Sequence, residues 1–332
     1  LIKEFSLGVE GFLKLSEAGS GLVFGKLGLN AESGFQFAFQ ILPTIIFFSA
    51  VMSVLYYLGV MQIVITVLAK LFRRALGTSG SESLSVSANI FVGQTEAPLL
   101  IRPFLPDMTR SELFAVMCGG FATVAGGVLA LYIGMGIDAG HLIVASVMSA
   151  PAALVVAKIM YPETEVSPTL GDVKMPDIDG GDNIIDAAAK GATDGLYLAL
   201  NVAAMLIAFL GLVAVCDWIL GGLDGWIDGE LLGGTLMANK EHSGFVPGSL
   251  TTIFGTLLAP IAFVMGVPWE ESSAIGNLLG QKLAVNEFVG YMTLTDLMKT
   301  GQVSERSAII ATYALCGFAN FGSIGIQIGG IS

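Results

Sequence analysis

Charge is what this chain lacks most. Only 13% of its 332 residues are Asp, Glu, Lys or Arg, where soluble globular proteins carry about a quarter. With 54% hydrophobic residues and a mean hydropathy of +0.78, there is too little polar surface to cover a water-soluble globule, and the sequence predicts a polytopic membrane protein. Cysteine is nearly absent: Cys118, Cys216 and Cys316 all sit inside apolar runs without metal-ligand spacing, which excludes a disulfide framework and reads as buried thiols. His141 and His242 are the only histidines, and both are expected at the surface rather than in a proton relay. No HExxH, Walker A or dinucleotide fingerprint occurs, so neither an enzyme nor a cofactor has a signature here. Basic patches are missing too. The net charge is −12, and Glu163, Glu165, Asp172, Asp177, Asp179, Asp182 and Asp186 cluster around Lys174, which reads as a solvated loop and speaks against a nucleic-acid partner. The chain opens at Leu1 without a basic leader, and the expectation is a trimmed chain.

Long apolar runs are what it has. Residues 196 to 220 contain Asp217 as their single charge, and a helix rising about 1.5 Å per residue would cross roughly 30 Å of hydrocarbon in such a run. Runs 41–69, 113–137, 141–160, 249–267 and 308–331 are similar and rich in Gly and Ala, as close helix packing in lipid favours. The working expectation is six spans in contact with membrane lipid. Lys70, Arg73 and Arg74 follow an apolar run and mark a cytoplasmic end. Residues 7–29 intersperse Leu7, Phe12, Leu13 and Leu15 with Glu10, Lys14 and Glu17, a pattern suited to an interfacial helix or to a soluble connector.

Two regions repeat one order of residues. Asn89, Gly93-Gln94-Thr95-Glu96-Ala97-Pro98, Ser111-Glu112 and Gly120-Phe121-Ala122-Thr123 are matched by Asn277, Gly280-Gln281 with Asn286-Glu287-Phe288, Ser304-Glu305 and Gly317-Phe318-Ala319-Asn320. Duplicated, interrupted apolar segments point to a secondary transporter built from inverted repeats. Within each copy a polar centre lies between apolar stretches too short to span, the pattern of a re-entrant hairpin; an extramembrane loop is the competing reading of the first. Backbone at such a tip must be buried in protein or line a watery cavity. A carboxylate there costs about 2.5 to 3.5 kcal/mol on insertion scales and calls for a ligand, ion or proton. The spans that follow are interrupted as well, by Gly119, Gly120, Gly126 and Gly127 around Thr123 and by Gly317, Gly322 and Gly325 around Asn320 and Ser323. Unwound binding segments or tight helix packing would both use such glycines.

The converging polar groups are Gln94, Thr95, Glu96, Thr123, Glu287, Asn320 and Ser323, with Phe121 and Phe318 as aromatic neighbours. Donors and acceptors are mixed, and fixed positive charge is limited to Lys282, itself a ribose or carboxylate partner, or a packing or interface lysine. The set suits a neutral, hydroxyl-rich, partly planar solute. An enzyme using Glu96 and Glu287 as acid and base would lack a nucleophile or metal, and a passive channel would not need tips that close over a solute.

The stretches GQTEAPLL (93–100), GFATVAGGVLALYIGMG (120–136), SVMSAPAALVVAKIMYPETE (146–165), NEFVGY (286–291) and GFANFGSIGIQIGG (317–330) resemble the signature segments of the concentrative nucleoside transporters. The resemblance covers most of residues 36–331. It implies an all-α polytopic membrane protein of inverted repeats, with two re-entrant helical hairpins and two unwound transmembrane helices. It further implies a homotrimer in the bacterial inner membrane that imports nucleosides by an elevator movement, coupled to Na+, with H+ as the alternative ion. Matched residue by residue, the base-facing positions are Gln94, Thr95, Glu96 and Val128, and the ribose-facing positions are Glu287, Asn320 and Ser323, with Phe318 beside the nucleoside. The sodium positions are Asn89, Val92, Thr123 and Val124. The family's first helices and its last helix have no counterpart in the sequence, and Gly229–Gly248 is more polar and longer than the family pattern.

On this reading residues 1–35 form an interfacial region. Residues 36–186 form the first repeat and acidic loop, with a hairpin near 82–110 and a broken span near 111–137. Residues 187–248 form a scaffold span and connector, and residues 249–332 the second repeat, with a hairpin near 270–301 and a broken span near 305–331. The expected function is sodium-coupled import of a uridine-like nucleoside; a proton-coupled symporter, or a carrier of another neutral polar solute, is the alternative.

Overall fold

The computed structural model describes residues 2–29, 36–94, 96–171, 181–227, 249–324 and 327. Every regular element among them is helical. Thr95, His242, the acidic residues Asp172, Asp177 and Asp179, and the polar stretch 229–248 lie outside the described residues.

The chain divides into two compact units, residues 1–201 with 316–332, and residues 202–315. In the first unit, α1 (Ile2–Lys14) and α2 (Ser16–Phe24) precede α3 (Leu42–Tyr57) and α4 (Val60–Leu76). Next come α5 (Gly80–Ala88), the single turn α6 (Glu96–Leu99) and a 3-10 segment (Arg102–Asp107). α7 (Arg110–Ala122) and α8 (Gly126–Gly134) are separated by non-helical backbone, and α9 (Ala139–Met160) follows. α10 (Ile184–Asp224) runs from the first unit into the second. The second unit contains α11 (Leu250–Val264), α12 (Trp269–Ala284), α13 (Glu287–Lys299) and α14 (Glu305–Leu315).

Among the described residues four helical stretches are long and apolar enough to cross a membrane, Ala38–Tyr57, Arg110–Gly134, Ala139–Met160 and Leu210–Ile227. The pair Ile253–Val264 and Trp269–Ala284, bent by 116°, brings the number to five if it counts as one span. Two of the expected runs are interrupted. Run 41–69 is cut at Gly59, whose φ of +77° ends one helix and starts the next, and run 308–331 is interrupted over residues 316–320, around Gly317 at φ +105°, before helix resumes at residue 321. Both angles lie where a Cβ is disfavoured, so glycine marks the break.

The first unit packs α5 between two apolar clusters. Leu84 and Ala88 join Met61, Ile65 and Ala69 of α4 with Ile101 and Val116; Val86 and Ile90 join Phe72, Ala115, Ala150, Leu154 and Ala157. Lipid tails offer no hydrophobic drive for such contacts, so they rest on close van der Waals fit. The middle of α10 is the opposite case, with Ile207 and Trp218 more than three-quarters exposed. Cys216 lies on the same exposed helix, contrary to the expected buried thiol, because an apolar run facing lipid satisfies its hydropathy without a protein neighbour; Cys118 is half-buried and Cys316 buried. His141 is half-buried, its backbone N–H donating to Asp138 at the start of α9.

Candidate functional site

Two helix starts fix the level of the site. Ser79-Gly80-Ser81-Glu82 and Thr109-Arg110-Ser111-Glu112 are both capping boxes, in which the first side chain and the carboxylate satisfy each other's backbone N–H. The carboxylates also reach sideways. Glu82 Oε2 lies 2.8 Å from Lys158 Nζ of α9, and Glu112 Oε1 accepts from Thr169 Oγ1 at 2.6 Å and from Ser167 Oγ. Lys158 donates to Ser111 Oγ at 3.0 Å, and Gly80 N to Thr169 O at 3.0 Å.

From that base α5 and α7 run side by side. Ser81 Oγ is 3.5 Å from Glu112, Val86 packs on Gly119, and Phe91 O accepts from Gly126 N at 3.0 Å. These three contacts bracket Asn89 against Thr123. Asn89 is 0% exposed, and neither its amide oxygen nor its amide nitrogen has a partner among the described residues. Thr123 is extended at φ −106°, ψ 166°, with Oγ1 donating to Gly119 O at 2.8 Å and its oxygen still able to accept. Val92 and Val124 lie in non-helical backbone, so their carbonyls stand outside any helical ladder. Hard oxygens of this kind suit a small monovalent cation.

A second group of predicted residues converges after α14, where the non-helical residues 316–320 lead into a helical turn at 321–324. Gln94 Nε2 donates to Ser323 Oγ at 3.1 Å, while Gln327 Nε2 donates to Gln94 Oε1 at 3.2 Å and to Met117 O at 3.0 Å. Gly120 leaves no room for a side chain beneath this cluster, since a Cβ there would strike Gln327 Nε2. Asn320 Oδ1 accepts from Ser323 N at 2.8 Å, capping the helical turn 321–324 that carries Ser323. Phe318 and Phe121 are half-buried, and Val128 on α8 is buried. The two duplicated motifs touch directly: a methyl on Gly317 would lie 2.6 Å from Ala122 O and 2.8 Å from Phe121 O. Glu96 opens α6; its side chain, like all of Thr95, lies outside the described residues.

Glu287 belongs to the second unit, where it is the buried first residue of α13. Val285 and Asn286 alone separate α12 from α13, and Asn286 Oδ1 caps the new helix through Val289 N at 3.1 Å. Lys282 donates to Ala314 O at 3.0 Å, so at least one of its three donors anchors backbone. Tyr291 Oη donates to Thr312 O at 2.8 Å, and Thr293 Oγ1 to Gln281 Oε1 at 2.8 Å. Elsewhere a cavity of about 520 Å³ is lined by Lys70, Arg73, Arg74 and Thr78, and none of the predicted site residues borders it.

Sequence reasoning missed Gln327, Ser85 and the Glu82–Lys158 pair. The Ser/Thr-x-x-Glu spacing at 79–82 and 109–112 was a readable signal for the helix starts, whereas nothing local announces that Lys158 meets Glu82 across 76 positions, 158 minus 82.

Apolar spans, a helix broken at buried polar groups and a glutamine-centred cluster define a polytopic helical membrane protein. Comparison with known proteins gives the family. Residues 141–332 match the family model for the Na+ dependent nucleoside transporter C-terminus, and residues 38–139 match a model for nucleoside recognition. The chain is 43% identical over 339 residues to the nucleoside permease NupC of Helicobacter pylori, covering 100% of this chain and 77% of that one. It is 46% identical over 336 residues to sodium/nucleoside cotransporter 1 of Mus musculus, covering 97% of this chain and 49% of that one. A solved structure of CNTnw in an inward-facing substrate-bound state superposes with a TM-score of 0.87 at 44% identity, covering 100% of this chain and 76% of that one. The chain belongs to the concentrative nucleoside transporter family and is an integral protein of the plasma membrane. It spans about half the length of the mammalian relatives and about three-quarters of the bacterial ones. These relatives are transporters rather than enzymes.

Proposed function

We propose that this chain imports nucleosides, uridine-like in size, in symport with Na+. The observation that carries the reading is the buried, unpartnered Asn89 amide level with Thr123, one turn of chain from the Gln94–Ser323–Gln327 cluster. Asn89, Val92, Thr123 and Val124 hold the cation. Gln94, Thr95, Glu96 and Val128 take the base; Glu287, Asn320 and Ser323 take the ribose, with Phe318 at the ring. Gln94 already spends its amide on Ser323 and Gln327, so a nucleoside edge exchanges hydrogen bonds rather than creating them, which favours selectivity over tight binding.

Coupling follows from order. A cation that satisfies Asn89 and the non-helical carbonyls lowers the cost of holding the tip next to Gln94, and the nucleoside gains what the cation has already ordered. Coupling energies of this sort change affinity by roughly 5- to 150-fold. The segments 82–110 and 270–301 act as re-entrant hairpins, and 111–137 and 305–331 as broken spans, within a transport domain that moves as an elevator in a homotrimer. The test is uptake of radiolabelled uridine into proteoliposomes under an inward Na+ gradient, an inward H+ gradient, or neither, with Glu96→Gln as control. Saturable, Na+-driven uptake lost in Glu96→Gln supports the reading. H+-driven uptake would replace the ion, and absence of uptake for any nucleoside in folded protein would overturn the substrate class.

A further inference from the structure

Ser81, Ser85 and Asn89 are spaced i, i+4, i+8 along α5 and its cap, which places them on one face. All three are 0% exposed. Ser81 is satisfied, sharing a 2.7 Å hydrogen bond with Thr169 Oγ1. The Ser85 hydroxyl and the Asn89 amide are not: neither has a partner among the described residues. Two consecutive orphaned groups on one buried face require a common ligand, because the same atoms would otherwise forfeit their water for nothing. Side chains four apart on a helix stand about 5–6 Å apart at Cβ, the span that one bridging water fills.

We propose that Ser85 is a further residue of the cation site. Its hydroxyl oxygen receives the water coordinated to Na+ on the side facing the base of the hairpin. The proposal rests on Na+ binding at Asn89. A hydroxyl is the fitting group, since it accepts from a cation-polarised water without adding a fixed charge. Ser87 serves as the internal control. Its hydroxyl is also buried and unpartnered, but it lies two positions from Ser85, on the other side of the helix.

The experiment is a Na+ titration of uridine uptake in proteoliposomes for the wild type, Ser85→Ala, Ser85→Thr, Ser87→Ala and Asn89→Ala. It is paired with the Na+-dependent rise in Tm of the detergent-solubilised proteins, using K+ as the reference salt. Ser85→Ala is expected to raise the Na+ needed for half-maximal uptake about tenfold, equivalent to about 1.4 kcal/mol, and to shrink the Na+-induced Tm rise, with the uridine KM at saturating Na+ unchanged. Ser85→Thr restores most of both, and Ser87→Ala alters neither. An unshifted Na+ dependence in Ser85→Ala, or an equal shift in Ser87→Ala, overturns the proposal. A wild type indifferent to Na+, or Asn89→Ala with normal Na+ dependence, instead overturns the cation reading beneath it.

Discussion

Replacing Lys158 with Met tests how the start of α5 is held. Glu82 is 1% exposed and its Oε2 has Lys158 Nζ at 2.8 Å and no other partner among the described residues, while Oε1 is occupied by Ser79 N at 2.6 Å. Met keeps the stem and removes the charge. The carboxylate then stays in its buried position without a counter-charge, a change that costs about 3–5 kcal/mol for a fully buried pair. Lys158 is 24% exposed, so water screens part of the interaction, and the lower end, about 3 kcal/mol or a factor of roughly 150 in the folding equilibrium, is expected. The double variant Glu82→Gln/Lys158→Met removes both charges and should lie within about 1 kcal/mol of the wild type, because a buried pair replaced as a unit is close to neutral. Reversible unfolding in mixed micelles at increasing denaturing detergent reads both. The reasoning fails if Lys158→Met costs less than about 1 kcal/mol, or if the double variant is less stable than the single one.

Gly317→Ala should cost about 1–3 kcal/mol, since φ is +105° and the new methyl meets Ala122 O at 2.6 Å; an unchanged Tm would mean that the two motifs stand further apart. Tyr291→Phe loses the buried hydrogen bond to Thr312 O, worth about 0.5–1.5 kcal/mol, and should lower Tm while leaving uridine KM intact; a raised KM would bring Tyr291 into the solute site. Gln94→Met keeps the volume and forfeits the bonds to Ser323 and Gln327, and is expected to raise uridine KM at least tenfold, about 1.4 kcal/mol, with half-saturating Na+ unaltered. Equal changes in both would show that Gln94 shapes the tip as a whole rather than contacting the nucleoside.

Much of the architecture is legible in the chain because glycine and polarity act locally. Gly59 and Gly317 announce helix breaks that positive φ explains, and the repeated Gly-Phe-Ala-Thr and Gly-Phe-Ala-Asn motifs point at each other before any contact is known. The helices around the two polar centres are less legible. After its polar tip the first copy has only the one turn α6 before a 3-10 segment, with Pro98, Pro103 and Pro106 cutting the helix short, whereas the second copy forms the 13-residue α13. Sequence order alone made the two look alike. The pairing of Glu82 with Lys158 depends on where α9 returns to the bundle, a tertiary fact that no spacing records. Cys216 shows the opposite limit: hydropathy marks a residue as apolar-facing but does not say whether the apolar partner is protein or lipid.

The contact between Gly317 and the carbonyls of Phe121 and Ala122 joins main chain to main chain. At Gly317 no side chain stands between the two backbones, so their separation at that point cannot be retuned by choosing a different rotamer or a slightly larger residue. It behaves as a spacer of fixed length. Differences between related proteins then fall on the side chains around this contact, while the gauge between the two backbones stays the same.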